Sequence, residues 1–486
     1  MLNNVMIVLP IVFPFVLAAI IAITKFEKDK ERNLFVGTGV IFNFILTVYV
    51  FHSVKYGEIH LLKFNNFLDI YLKIDKLGVL FSLLVSILWI FTAFYSMEYM
   101  KHEGGENRFF AFFTFTLGIT LGIGFSGNLI TLYVFYEFLT LATFPLVIHS
   151  GTKQALQSGK KYLIYSFGGA TLVLLGMLLL FSITNNLNFV PRGILSGIYQ
   201  DNIKLCLGIY IAMFIGFGVK AALVPFHSWL PAAMVAPTPV SSLLHAVAVV
   251  KSGVFALIRM NFFVFGADAV KATKGNVYMS ILVGITILLG SLLALNQQNL
   301  KKRLAYSTIS QLGYIMLGII LLNEEALVGG LLHLINHAVI KITLFFCVGT
   351  IMYTTHKTEI SQIKGIGKKM PVTMWCFAIA SVSLIGIPPT NGFVSKWYLA
   401  LGGLAEGKAL FVAILLLSAL LTALYLLPIV AVAFFKKEEG EEVVKIEEAP
   451  MKMLVPIVSI TVITVLLGLF PNPVLEFIQE IVADLL

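Results

Sequence analysis

Charged residues and cysteines are both scarce in this sequence. Only 12% of its 486 residues are charged, 58% are hydrophobic, and the mean hydropathy is +0.93. A water-soluble domain of this length carries about twice that share of charge. Long apolar runs recur from one end of the chain to the other. We therefore predict an all-α polytopic membrane protein.

Cofactor-binding signatures are also missing. The three cysteines, Cys206, Cys347 and Cys376, lie in or beside apolar runs, and we interpret them as small apolar fillers. The absence of a CxxC pair argues against an iron–sulfur cluster held by this chain. The chain has neither a GxGxxG turn after a strand nor a P-loop, so nothing indicates nucleotide binding. We expect no cofactor.

The positive charge has a membrane explanation. The first apolar run, NVMIVLPIVFPFVLAAIIAIT, is followed, not preceded, by the charged cluster KFEKDKER. This order is the reverse of a secretory signal, so the run is interpreted as a retained helix. The net charge of +9 is explained by loop lysines on one membrane face. No nucleic-acid partner is needed.

Apolar runs of about twenty residues predict fourteen membrane-spanning helices. They cover 4–24, 34–52, 77–99, 109–126, 128–149, 160–184, 203–224, 240–265, 276–296, 303–322, 325–354, 371–400, 409–435 and 452–470. Residues 53–76 alternate apolar and polar side chains, which predicts a small hairpin on the membrane surface. The charged stretch 436–452 is typical of a solvated linker.

Lysine and arginine are unevenly shared between alternate loops. The set that begins after the first helix carries 20 of them, and the other set carries 10. The positive-inside rule then places the first set in the cytoplasm and both termini on the outer face of the cell membrane. The remaining four lysines fall inside predicted helices: Lys220, Lys251, Lys341 and Lys396.

The sequence also contains a faint internal repeat. Predicted helices 4–8 and 9–13 form two sets of five, and an odd number of helices makes the second copy inverted in the membrane. The fourth helix of each set is broken, at Pro225 and at IGIPPTNG. Paired broken segments are typical of a transport site. The expected units are helices 1–3 with the hairpin (1–108), the first repeat (109–265), the inverted repeat (276–435) and the linker with helix 14 (436–486).

Buried charges mark the candidate site. One charge at a helix centre costs roughly 2.5–3.5 kcal/mol on insertion scales. Several buried charges without partners would therefore cost too much to be kept for packing alone. Glu137 lies near the middle of predicted helix 5, and Lys220 lies just before a break, where freed backbone groups can admit water. The alternatives are a structural salt bridge for Glu137 and snorkelling to the membrane surface for Lys220 and Lys396. Lys251 lies too deep to snorkel easily.

Histidines extend this line of charges. His245 lies six residues before Lys251, while His333, His337 and Lys341 recur every four residues and so share one helix face. Neutral imidazole both donates and accepts hydrogen bonds, which suits a proton relay. Two histidines at this spacing also occur in metal sites, but no third ligand is near. Because they lie on one helix turn, they are poorly placed as opposite axial haem ligands.

A break beside a lysine suggests a proton switch. Desolvation favours the neutral form of a buried lysine, and a nearby carboxylate favours the charged form. A lysine that alternates between these forms can move protons. The candidate translocation residues are Glu137, Lys220, Lys251, His245, His333, His337, Lys341 and Lys396.

These residues lie in segments that resemble a known family. The sequence is similar to the antiporter-like membrane subunits shared by Mrp-type cation/proton antiporters, membrane-bound hydrogenase-type complexes and respiratory complex I. The resemblance spans most of predicted helices 4–13. It is densest in VPFHSWLPAAMVAPTPVSSLLHAVAVVKSGVFALIR, NLKKRLAYSTISQLGY, HLINHAVIKITLFF and GIPPTNGFVSKW.

The resemblance implies fourteen helices with two inverted five-helix units, and an ion-translocating subunit, for protons or Na⁺/H⁺, within a multisubunit membrane complex. It further implies that Glu137 pairs with Lys220, that Lys251 with His245 forms a connecting site, and that Lys396 is the terminal lysine. The sequence has PAAM where many complex I members have PDAH, so it is nearer the Mrp and hydrogenase members. A quinone-linked complex I subunit and a stand-alone secondary transporter are the alternatives. The subunit itself is expected to be non-redox.

Overall fold

The computed structural model describes residues 6–53, 57–65, 68–195, 197–436 and 446–486. Within these segments the chain is mostly helical and carries one two-stranded hairpin. Ten of the described helical stretches, with Thr238–Phe265 counted as one, are long and apolar enough to cross a membrane. The prediction of a mostly helical, multi-pass membrane protein is confirmed.

The elements follow one another with short connections. Those before the first break are α1 (Leu9–Ile23), α2 (Asp29–Ser53), β1 (Glu58–Lys63), β2 (Asp69–Lys73), α3 (Lys76–Tyr99), α4 (Glu106–Gly124), α5 (Leu129–Val147), α6 (Lys153–Thr184) and α7 (Ile203–Lys220). The central ones are α8 (Trp229–Ala232), a 3₁₀ turn (Ala233–Val235), α9 (Thr238–Ala246), α10 (Val249–Arg259), a π-helical turn (Met260–Phe265) and α11 (Ala267–Ala272). The remainder are α12 (Gly275–Leu295), α13 (Leu300–Ile320), α14 (Glu324–Thr355), a 3₁₀ turn (Ile360–Gln362), α15 (Ile366–Lys369), α16 (Pro371–Ile385), α17 (Asn391–Ala405), α18 (Ala409–Phe435), α19 (Met451–Leu469) and α20 (Asn472–Leu485).

Polar residues fix where several helices begin. A side-chain oxygen just before the helix accepts a hydrogen bond from a free backbone N–H of the first turn, which a membrane helix cannot leave unpaired. The capping residues are Asp75, Asn128, Thr152, Asn299 and Asn323.

The hairpin predicted within 53–76 is confirmed. Strands β1 and β2 pair antiparallel, and the second strand is bonded to the turn between α4 and α5. Lys73 N donates to Phe125 O at 2.8 Å, and Gly127 N donates to Tyr71 O at 3.0 Å. The hairpin therefore covers one end of the bundle.

Alternate loops gather at opposite ends of the bundle. We call one end the hairpin face; there the loop at 188–194 bonds to 263–264 and to residue 128, beside the hairpin. At the opposite face, residues 298–300 bond to 358–360, which joins the loops before α13 and after α14. Loops that the sequence assigned to the same side thus pack with one another.

The most enclosed helices are those that carry the candidate histidines. The stretch Thr238–Phe265 and helix α14 are buried along their whole apolar length, whereas most of the apolar length of α6 and α18 faces outward. Helix α14 packs against α9, α13, α16, α17 and α19. Polar side chains in these positions face protein on every side and avoid the bilayer.

The breaks lie where proline and glycine predicted them. Helix α7 ends at Lys220, and the chain is not regularly helical again until Trp229. Helix α16 ends at Ile385, and α17 begins at Asn391 after the turn that contains PPT. Predicted helices 7 and 12 are therefore both interrupted.

A third break, which was not predicted, lies within the predicted span 240–265, although the stretch Thr238–Phe265 still qualifies as one candidate span. Helix α9 ends at Ala246, and α10 starts at Val249. At the junction Ala248 N donates to Leu243 O at 2.8 Å, which widens the turn by one residue. No proline or glycine marks this junction, so the local sequence contains no signal for it.

Candidate ion-translocation site

Lys220 and Glu137 meet beside the first break. Lys220 is the last residue of α7 and is 1% exposed, while the Glu137 side chain on α5 is 19% exposed. Their Nζ and Oε1 atoms are 3.7 Å apart. The ammonium also donates to the carbonyl of Tyr136 and lies 3.3 Å from the centroid of its ring. The lysine is thus held by a carboxylate, a carbonyl and an aromatic face.

Other groups satisfy the backbone that the break exposes. The indole Nε1 of Trp229 donates to the carbonyl of Val219 at 2.8 Å. The N–H of Leu223 donates to Gly218 O at 2.8 Å. Since these carbonyls have partners, the Lys220 ammonium remains directed at Glu137 and Tyr136.

Gly253 brings α10 against the end of α7. A Cβ at this position would lie 2.6 Å from the backbone nitrogen of Ala221 and 2.9 Å from the carbonyl carbon of Lys220. Only glycine permits so close an approach of two backbones. This contact sets how near the helix that carries Lys251 comes to Lys220.

We expect Gly253→Ala to destabilise the protein. The added methyl group must push two backbones apart, and overpacking of this kind costs about 1–3 kcal/mol. The matched control is Gly168→Ala in α6, where an added Cβ meets nothing within 4 Å. Thermal unfolding in detergent should show a lower Tm for Gly253→Ala and an equal or higher Tm for Gly168→Ala. Equal stability of the two variants would contradict this account.

Lys251 forms the link between the two halves of the chain. Its Nζ on α10 lies 2.9 Å from Nδ1 of His337 on α14, and both residues are completely buried. The resemblance associated Lys251 with His245, but the structure places it against His337. Both ring nitrogens of His245 are buried without a hydrogen-bond partner among the described residues.

His333 continues the line along α14. Its Nδ1 lies 2.9 Å from Ser395 Oγ, and its Nε2 lies 3.0 Å from Gln311 Oε1. Its ring centroid is 6.0 Å from that of His337 and 5.4 Å from that of Tyr314. The histidine stripe predicted from the four-residue spacing is present on one helix.

The last two lysines are held by neutral oxygen atoms. Lys341 Nζ donates to Ser307 Oγ at 2.5 Å and to Leu304 O at 3.0 Å. Lys396 Nζ donates to the carbonyls of Leu384 and Ile385 at 2.7 and 2.9 Å. Those carbonyls end α16 and are freed by the second break, so the break itself supplies the lysine with acceptors.

Contacts therefore divide the eight candidates into groups. Glu137 and Lys220 form one pair. Lys251, His337 and His333 form a row in which Lys251 lies 2.9 Å from His337, and the two histidine rings are neighbours, 6.0 Å apart, without a hydrogen bond between them. Among the described residues no hydrogen bond joins Lys220 to Lys251, and Lys341, Lys396 and His245 flank the row without bonding to it.

Sequence reasoning missed several partners in the site. Ser307, Gln311 and Tyr314 lie at spacings of four and three residues on α13 and face α14. That helical spacing of polar residues within NLKKRLAYSTISQLGY was a usable signal. Tyr136, whose ring lies beside the Lys220 ammonium in the core, had no comparable signal in the sequence.

Four basic residues counted with the loops are in fact buried: Arg32, Arg259, Lys301 and Arg303, of which Arg259 and Arg303 fall at the ends of predicted helices. Arg259 is completely buried and ion-paired with Asp75. Lys301 is 5% exposed and donates to Ala236 O at 2.6 Å. Each lies near a helix end, where hydropathy alone does not distinguish a loop from the bundle interior. In the segments that the structure describes, no cluster of three or more His, Cys, Asp or Glu residues is arranged to hold a metal ion.

Comparison with known families decides the relationship. The family described as NADH:quinone oxidoreductase/Mrp antiporter, TM matches residues 126–422, more than half of the chain. The chain belongs to this family. A second family, described as NADH-Ubiquinone oxidoreductase (complex I), chain 5 N-terminus, matches residues 63–110. The predicted resemblance is confirmed.

The relatives of this chain include both a quinone oxidoreductase subunit and a Na⁺/H⁺ antiporter subunit. It is 35% identical to NADH-quinone oxidoreductase subunit N of Desulforudis audaxviator over 419 residues, covering 83% of each chain. It is 27% identical to a Na(+)/H(+) antiporter subunit of Alkalihalophilus pseudofirmus over 491 residues, covering 100% of this chain and 98% of the relative.

Solved structures show the same fold. A chain of the Mrp complex from Dietzia sp. matches with a TM-score of 0.88 at 20% identity, covering 100% of this chain and 98% of that one. A chain of an archaeal membrane-bound sulfane sulfur reductase matches with a TM-score of 0.87 at 23% identity, covering 100% and 97%.

Proposed function

We propose that this family member is an ion-translocating subunit of a multisubunit membrane complex, of the Mrp antiporter or membrane-bound hydrogenase or sulfur-reductase type. It moves protons along its midplane row of Glu, Lys and His. The observation that carries the proposal is the Lys251–His337 contact at 2.9 Å between two completely buried side chains. Neither side chain has a carboxylate partner among the described residues, so a proton can pass between the amine and the imidazole without being held by a fixed negative charge.

The first step takes place at Lys220. While Glu137 is near, its carboxylate stabilises the ammonium; when it moves away, desolvation favours the neutral amine. The proton then passes toward Lys251, whose amine becomes an ammonium, and onward to His337 and His333. A change of a few kcal/mol is sufficient, since a tenfold shift in protonation corresponds to about 1.4 kcal/mol.

The partners follow from the same proposal. Other membrane subunits surround the chain in the bilayer, and protons are the ions moved along the row. In an antiporter complex, Na⁺ is the ion exchanged for protons. The relative named NADH-quinone oxidoreductase subunit N keeps a quinone-linked complex as the second candidate. The chain has the same role in either complex, and the associated subunits differ.

The test uses the intact complex. The protein is purified from its native membrane, co-purifying subunits are identified by mass spectrometry, and the complex is reconstituted in liposomes. We expect several membrane subunits and a pH gradient that forms when a Na⁺ gradient or the electron donor of the complex is applied. A chain that purifies alone and generates no gradient under either condition would contradict the proposal.

The finer architecture belongs to the same proposal. Fourteen spanning helices would divide into helices 1–3 (1–108), two inverted five-helix repeats (109–265 and 276–435) and a final unit (436–486). The interruptions after Lys220 and after Ile385 support matching positions for the two broken helices. Residues 437–445 of the linker lie outside the described part of the chain.

We further propose that the termini and the hairpin face lie on the outer side of the cell membrane. Single cysteines placed in 436–452 should then react with a membrane-impermeant maleimide only from the cytoplasmic side. A cysteine in place of the exposed Asp268, near the hairpin face, is the control and should react only from the outside. The three native cysteines are buried and give little background. Labelling of the linker from outside would reverse the assignment.

A further inference from the structure

A second buried ion pair lies away from the row of lysines and histidines. Arg259, at the end of α10, donates from Nη1 to Asp75 Oδ2 at 2.5 Å and from Nη2 to Oδ1 at 2.9 Å. Asp75 also caps α3, accepting from Gly78 N at 2.7 Å. The guanidinium is enclosed by the rings of Phe189, Phe255 and Phe263, with centroids 4.4–5.1 Å away. Asp75 is its one carboxylate partner among the described residues.

Asp75 also has access to water. Its side chain is 20% exposed and lines a cavity of about 290 Å³ at the hairpin face. Helix α20 forms one wall of this cavity. That helix is held by Lys76, whose Nζ lies 3.2 Å from Glu480 and 3.3 Å from Asp484. These acidic groups are more than half exposed, so the bridges are individually weak, and buried Ile478, Ile481 and Val482 hold α20 against the bundle.

Arg259 lies on the same face of α10 as Lys251, the first residue of the row. Lys251, Phe255 and Arg259 lie at four-residue intervals on α10, so they share a face, and eight residues span about 12 Å. Arg259 Nε and Ser82 Oγ are buried without hydrogen-bond partners among the described residues. Ser82 lies two turns after Asp75 on α3. Buried polar atoms of this kind are positions where water binds.

We propose that Asp75 is the residue through which protons leave the Lys251 row for water at the hairpin face, and that Arg259 governs its release. This inference rests on the proposed function. When the loaded row discharges, His337 returns its proton to Lys251; the Lys251 ammonium then gives up a proton, which reaches the Asp75 carboxylate through water and leaves a neutral amine. The carboxylic acid then gives the proton to cavity water, which forms hydronium and restores the carboxylate.

Arg259 makes proton release fast and keeps the exit selective for protons. While Asp75 is protonated, the buried guanidinium has lost its counter-charge, which is costly, so the ion pair re-forms promptly. A guanidinium does not give up its own proton. While Asp75 is protonated, the unpaired positive charge of Arg259 at the end of the path also repels metal cations that enter from the cavity.

The test is Asp75→Asn in the assembled complex, reconstituted in liposomes. Asparagine caps a helix as well as aspartate does, so α3 keeps its first-turn hydrogen bond, while the proton acceptor and the counter-charge of the buried Arg259 are both lost. We expect the initial rate of pH-gradient formation to fall roughly tenfold or more. Asp75→Glu, which keeps a carboxylate, should recover part of the rate. Asp268→Asn, an exposed aspartate near the same face, should match the wild type.

The outcomes separate the two proposals. A wild-type complex that forms no gradient would contradict the proposed function itself. A working wild type with equal rates for Asp75→Asn and Asp268→Asn would overturn the role of Asp75. If Asp75→Asn does not assemble on a native gel, Asp75→Ser, which also caps a helix, is measured instead. Failure of both to assemble would make Asp75 a structural residue and would overturn the inference.

Discussion

Replacing Lys220 by arginine should abolish ion translocation while the complex stays assembled. A guanidinium keeps its proton in proteins, so the residue would remain charged whether or not Glu137 is near. The positive charge and the attraction to Glu137 survive, and only the ability to release a proton is lost. We expect the rate of pH-gradient formation in vesicles to fall roughly a hundredfold, the scale of a lost proton-transfer group.

Companion variants distinguish proton transfer from simple packing. Lys220→Met keeps the length and removes the charge, and Glu137→Gln removes the carboxylate 3.7 Å away; both should be nearly as damaging. Lys302→Arg is the matched control, because Lys302 is exposed. Normal pumping by Lys220→Arg would mean that the lysine is a fixed charge and that the proposed first step is wrong.

The second large effect is expected at the junction between the halves. In His337→Ala, Lys251 keeps its buried position and loses the Nδ1 atom that lies 2.9 Å from its Nζ. The proton then has no acceptor in α14, so translocation should slow by roughly tenfold to a hundredfold. The protein should still fold, since an apolar side chain is tolerated in a bundle interior. Gradient formation is measured over a range of pH.

A histidine at the surface serves as the control for this experiment. His102 is exposed, and its ring stacks on Tyr353. His102→Ala should therefore leave the rate unchanged. If His337→Ala moves ions at the wild-type rate across the whole pH range, His337 does not lie on the path and the row must run through another acceptor.

Much of the architecture was predictable because its causes are local. Apolar runs of bilayer length identify helices, since an isolated helix in lipid must satisfy its own backbone and present apolar side chains. Proline and glycine near Pro225 and within IGIPPTNG predicted two breaks, because these residues disturb a helix wherever they occur. The stripe of His333, His337 and Lys341 followed from the four-residue spacing alone.

The partners of these residues were decided by tertiary structure. Lys251 meets His337, while both ring nitrogens of His245 have no partner in the described part of the chain, and Lys396 donates to the carbonyls of Leu384 and Ile385. Such contacts depend on how each helix is rotated about its axis and on how closely neighbours approach. The approach at Gly253 shows that one missing side chain can set that distance.

Burial at helix ends was likewise decided only by the fold. Arg259 was counted with the loop charges although it lies near the end of the predicted helix 240–265. The residues that enclose it include Asp75, Phe189 and Phe263, which are distant from one another along the sequence. The break between Ala246 and Val249 has no local marker either. By itself the sequence determined that the chain is a mostly helical, multi-pass membrane protein and that helices 7 and 12 are interrupted, because those properties depend on neighbouring residues. Which buried charges touch was settled by packing, because it depends on side chains brought together from distant parts of the chain.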